Sequence, residues 1–96
     1  YKVMGTSMLP HLQNNDYVIT SKLFSIKKND VVVIKTRSFG LVVKRILKIK
    51  KNEIFLCGDN KNTYSSVYEI PHSLSNIEGR VFFKFRLPKF LNFKLQ

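Results

Sequence analysis

Cysteine is nearly absent from this chain. Cys57 is the single one, so no internal disulfide can brace the domain. Histidine is almost as scarce. His11 and His72 have no cysteine or acidic cluster at ligand spacing, which argues against a structural zinc. No apolar run exceeds four residues, which excludes a transmembrane span and the hydrophobic segment of a secretory leader within these residues. The chain starts at Tyr1 rather than at methionine, and a fragment of a longer protein is expected. Acidic residues are few: six Asp and Glu against 17 Lys and Arg give a net charge of +11. Such a balance attracts phosphate, whether of nucleic acid or of anionic lipid headgroups. Lys, Asn and Ile are all abundant, as an AT-rich coding sequence would also produce, so charge alone does not choose a partner. Sustained 3.6-residue periodicity is missing as well, so helices should be minor.

What remains is a β pattern. At 96 residues and 44% hydrophobic composition the chain is an ordered single domain spanning residues 1–96. "DVVVIK" (30–35) and "LVVKRILKIK" (41–50) are rich in branched residues, and "TRSFG" between them supplies a turn in which Gly40 can take positive φ. "KIKKNEIFL" predicts a second hairpin turning at Lys51 and Asn52, with Asn as the left-handed residue. "GRVFFKF" (79–85) is a further strand, "YKVM" and "YVIT" are short ones, and "PHSLSNI" forms one short turn. The expected architecture is all-β, a small mixed barrel or a pair of antiparallel sheets. Cys57, within "EIFLCGDN", reads as a small core residue rather than a nucleophile. The tail 86–96, "RLPKFLNFKLQ", alternates cationic with aromatic and aliphatic residues, a pattern suited to packing along the sheet or resting on a membrane.

The chemistry starts at "VMGTSMLPHLQ", where Ser7 sits in a turn between apolar residues. A serine hydroxyl is a weak nucleophile until a neighbour takes its proton. Neither histidine is well placed by sequence, His11 being four residues away on the same turn. A lysine can serve if it sheds its charge. At an ordinary pKa near 10.4 only about one lysine in 10³ is neutral at pH 7.4, a handicap of roughly 4 kcal/mol that burial can remove. Among the 13 lysines most lie in polar runs or turns, but in "LVVKRIL" the two-residue period puts Val42, Lys44 and Ile46 on one face. Read alone, the pattern also fits an edge charge whose stem lies on apolar surface.

The order of motifs says more. "GTSMLPHL", "NNDYVITSK", "KKNDVVVIK", "VVKRILKI", "FLCGDN" and "IEGRVFF", running from Val3 to about Phe85, resemble the type I signal peptidase family. Its compact bacterial and mitochondrial inner-membrane members are the most similar. The resemblance implies an all-β, signal-peptidase/LexA-like fold of antiparallel sheets with an SH3-like barrel element. It implies Ser7 as nucleophile, Lys44 as general base, and Gly58, Asp59 and Asn60 as a structural box. The implied reaction is hydrolysis after small residues, using no metal or organic cofactor and releasing preproteins from signal segments at a membrane surface, on the extracytoplasmic face in bacteria or at a mitochondrial inner membrane.

Gly5 stands where some relatives carry a serine that stabilises the oxyanion; its lack of a side chain allows a substrate strand to approach. Met8 and Leu9 are expected to floor the substrate pocket. After the box the chain departs from the family pattern. Tyr64 falls where relatives place a serine beside the lysine, so Ser65 or Ser66 is expected to take that role. His11 replaces the usual threonine. The expected partners are a preprotein with small residues at its cleavage site and an anionic membrane surface. Two other readings compete: a LexA-like autoprotease, which would need a cleavage site before the nucleophile where only six residues stand, and a basic β-barrel binding nucleic acid without chemistry. The aromatics cluster in the last strand and tail rather than alternating with cations on a central face, which disfavours nucleic acid. A degenerate domain that has lost activity is a further reading.

Overall fold

The computed structural model describes residues 1–88; most of the basic and aromatic tail, residues 89–96, lies outside the described residues. Six strands follow in chain order: β1 (Tyr17–Ser21), β2 (Val31–Thr36), β3 (Gly40–Lys50), β4 (Glu53–Cys57), β5 (His72–Ser73) and β6 (Ile77–Phe85). They form one sheet in the order β1-β6-β2-β3-β4-β5, with every pairing antiparallel. The all-β expectation holds, with the six strands joined in one antiparallel sheet. Eleven-residue β3 makes this possible: it pairs with β2 through Gly40–Arg45 and with β4 through Arg45–Lys50, handing over at Arg45, and its pairing with β4 shifts register between Ile46 and Lys48. Bulges of this kind bend a strand and increase its twist.

Two apolar clusters flank β2, whose alternate residues feed each of them. Val31 and Val33 join Val3, Met8, Leu12 and Val18, while Val32 and Ile34 join Ile46, Ile54 and Leu56. This explains why "VVVI" is apolar at every position rather than every second one.

The hairpins form as the branched runs predict, with a difference at the turns. Gly40 takes φ +66 as expected, but in the β3–β4 turn Lys51, not Asn52, occupies the left-handed region, at φ 57. "YKVM" contributes only an isolated bridge, Lys2 to Tyr17. The turn in "PHSLSNI" is the 3-10 segment Leu74–Asn76, and a second one, Ser66–Glu69, follows the Gly-Asp-Asn box. Ahead of β1, buried Asp16 accepts from the Gln13 backbone N–H at 2.8 Å and from Arg86 Nε at 2.8 Å, tying the segment after Ser7 to the end of β6. No helix among the described residues is long and apolar enough to cross a membrane.

Candidate active site

Ser7 stands in a turn whose ends are nailed into the core. Val3 and Met8 are buried on either side of it. Between them Gly5 takes φ +91, a conformation that costs glycine little, and donates its N–H to Asn14 Oδ1 at 2.8 Å. The Leu9 N–H closes on the Thr6 carbonyl at 3.2 Å, with Ser7 and Met8 as the inner residues of the turn.

The Gly-Asp-Asn box holds the same turn from the opposite side. Asn60 donates its backbone N–H to the Ser7 carbonyl and its Nδ2 to the Thr6 carbonyl, both at 2.9 Å. Asp59 takes a two-pronged contact from Arg45, Nε and a terminal nitrogen each at 2.7 Å. That guanidinium holds the Asp59 carboxyl below its usual range. Arg45 is the neighbour of Lys44 on β3, so one short box clamps both the serine turn and the lysine strand. Gly58 belongs to the clamp for a steric reason: a β-carbon there would collide with the Tyr68 hydroxyl and lie 2.8 Å from the Ser7 carbonyl oxygen.

Lys44 completes the arrangement. Its Nζ lies 2.6 Å from Ser7 Oγ, across 37 residues of chain. The residue is only 7% exposed. On its own strand Val42 and fully buried Ile46 flank it, β2 places fully buried Val32 opposite it, and the Tyr68 ring centroid is 5.4 Å from the amine. Burial pushes the ammonium below its ordinary pKa. The two-residue period had already placed Lys44 on an apolar face; what it touches required the fold.

Such a lysine is a strain on stability. Because its folded pKa lies below its unfolded one, the charged form is disfavoured by folding at neutral pH, and that cost fades as pH rises toward the ordinary lysine value of 10.5. Lys44→Met is therefore expected to stabilise the protein by about 1 kcal/mol at pH 7. Thermal unfolding would show the gain shrinking as pH is raised; a variant less stable than the parent at pH 7 would contradict it.

Other expected residues lie elsewhere. Met8 does not floor a substrate pocket: it is 1% exposed and packs with Leu12, Val18 and Val33 as the core anchor beneath the serine. Neither Ser65 nor Ser66 bonds Lys44. The Ser65 hydroxyl caps the 3-10 turn by accepting from the Val67 N–H at 3.3 Å, and Ser66 is exposed. The group beside the amine is Tyr68, which sequence reasoning missed. Its only signal was indirect, since buried Val67 fixes how the turn after the box faces inward. His11 is exposed, and burial together with the Lys84 charge holds its imidazole below the ordinary value. Cys57 is half-buried at the end of β4, with its thiol pushed up by burial. Among the described residues no three His, Cys, Asp or Glu side chains converge to hold a metal ion.

A groove runs into the pair, lined by Tyr1, Lys2 and Met4 on one side and by Leu41, Val42 and Val43 on the other, with Ser7 and Lys44 in it. Residues 41–44 pair with β2 along one edge only, because pairing with β4 begins at Arg45. The other edge carries no strand among the described residues, a place where an extended peptide could add.

A family model described as Peptidase S24-like matches residues 1–82, a span that contains Ser7, Lys44 and the whole Gly-Asp-Asn box. No curated protein matches the chain.

Proposed function

This chain belongs to the Peptidase S24-like family, and from that premise we propose that it is a serine endopeptidase using Ser7 and Lys44. The observation that carries the reading is a buried lysine amine 2.6 Å from a serine hydroxyl. Neutral Lys44 takes the Ser7 proton as Oγ bonds to the scissile carbonyl carbon. The ammonium so formed protonates the departing amine as the C–N bond breaks. Lys44, neutral again, then takes a proton from the water that hydrolyses the acyl-serine. The backbone N–H of Ser7 is the first donor to the oxyanion, a contribution of about 3 kcal/mol for one well-placed group. Gly5 supplies no second one, and a β-carbon built on it would meet nothing within 4 Å, which leaves room for a substrate strand laid along residues 41–44.

The substrate class we propose is a preprotein cut after small residues to release its signal or leader segment at an anionic membrane surface. Support for the surface comes from the +11 charge together with exposed apolar side chains: Met4 beside the groove, Ile19 and Phe83 paired across β1 and β6, and Phe85 at the end of β6. The test is a preprotein with an Ala-x-Ala site, presented in vesicles of anionic or neutral lipid, with the new N-terminus sequenced. Cleavage directly after the small residue, faster on anionic vesicles, is expected. No product at equimolar enzyme would overturn the preprotein-processing reading, and equal rates on both lipids would remove the membrane part.

A LexA-like self-cleaving protein is equally consistent with the family match. Mass spectrometry of the incubated enzyme separates the two readings, because shortening of its own chain beside an intact preprotein would favour self-cleavage.

A further inference from the structure

Tyr68 is the one described residue with a buried side-chain oxygen or nitrogen that lacks a hydrogen-bond partner. Buried hydroxyls are rarely left so, and an unpartnered one is a signal of chemistry or of a missing ligand. This hydroxyl is crowded against Gly58, at a spot a β-carbon could not share and from which the Ser7 carbonyl oxygen is 2.8 Å away. The ring is held from two sides. Its backbone N–H donates to the Ser65 carbonyl at 3.1 Å, and the Tyr64 ring meets it edge-on at 6.0 Å and 88°. The ring face in turn lies 5.4 Å from Lys44 Nζ.

We infer that Tyr68 is a positioning residue: its hydroxyl, unpartnered in this structure, donates to Ser7 Oγ in the reacting state, once Lys44 is neutral, so that the serine's own proton points at Lys44 Nζ. The inference rests on the Ser7–Lys44 reading above. Donor arithmetic supports the direction. Ser7 has one proton and two lone pairs, and neutral Lys44 must receive that proton, so a second neighbour of Oγ can only donate to it. The phenol is suited to donate. Burial first, then the nearby Cys57 and Asp59, pushes it above the ordinary tyrosine value. It therefore stays a donor at neutral pH. No atom is consumed: the phenol proton stays on Oη, and only the Ser7 proton moves.

Tyr68→Phe keeps the ring over Lys44 and deletes the donor. Its kcat should fall about 10- to 100-fold, the range expected for a misaimed nucleophile, with KM and the midpoint of the pH–rate profile unchanged. A second measurement needs no turnover: with ¹³C-labelled tyrosine, the Tyr68 Cζ resonance should move on Ser7→Ala in the absence of substrate. Parent-like kcat in Tyr68→Phe, or a Cζ resonance indifferent to Ser7→Ala, overturns the inference and leaves the dyad standing. A displaced pH midpoint with full plateau rate assigns the hydroxyl to Lys44 and also overturns it. Full activity in Lys44→Ala overturns dyad and inference together.

Discussion

Lys44→Ala is expected to cut peptide hydrolysis by about 10³-fold or more, and Ser7→Ala to abolish the acyl-enzyme route altogether. Lys44→Arg should fail as badly, although it keeps the charge and much of the bulk, because a guanidinium in a protein does not give up its proton. The reasoning runs through the state of one nitrogen. The amine is 2.6 Å from the hydroxyl and 7% exposed, and burial places its pKa below that of an ordinary lysine. The reactive form is the neutral one, so kcat/KM should climb with pH through the depressed value. The ascending limb would be centred below 10.5 rather than at it. Steady-state rates for the three variants and the parent from pH 6 upward would check this. A Lys44→Arg enzyme of parental activity would discard the neutral base.

Gly58→Ala should be nearly as damaging, though the residue has no chemistry to offer. The added methyl cannot coexist with the Tyr68 hydroxyl and would sit 2.8 Å from the Ser7 carbonyl oxygen, so something must give. Both neighbours are constrained: the carbonyl is held by the Asn60 N–H at 2.9 Å, and the tyrosine by its own turn. Relief by moving the Ser7 turn carries Oγ away from Nζ, and a displacement near 1 Å can cost about 10²-fold in rate. We expect that loss in kcat, with the circular-dichroism signature of the sheet retained, since β2, β3 and β4 pair elsewhere. Unchanged kcat would mean that the clamp yields without disturbing the dyad.

Much of this was legible before folding. β-branched runs located the central strands because a pleated, half-buried surface selects such residues. The alternation in "LVVKRIL" singled out Lys44, since on a strand a residue's face follows from its position alone. Less legible was whatever depended on partners distant in the chain. β6 inserts between β1 and β2, a placement that no local pattern encodes. Met8 was misplaced because an apolar residue beside a candidate nucleophile fits a pocket floor and a core anchor equally well, and only its neighbours Leu12 and Val18 decide between them. Ser65 was misjudged for a related reason: its hydroxyl had a nearer use as a helix cap, the habitual employment of serine at that position.

By itself, then, the sequence determined the strand-forming segments, the turns and the side of β3 that Lys44 occupies, because these follow from short-range sterics and the two-residue period. Only the tertiary structure decided that the amine would meet Ser7, that Asp59 and Asn60 would clamp strand and turn together, and that Tyr68 would close over both. Those contacts join residues tens of positions apart. Their free energy is shared among burial, the Arg45–Asp59 pair and the Asn60 hydrogen bonds, none of which forms until the sheet has assembled.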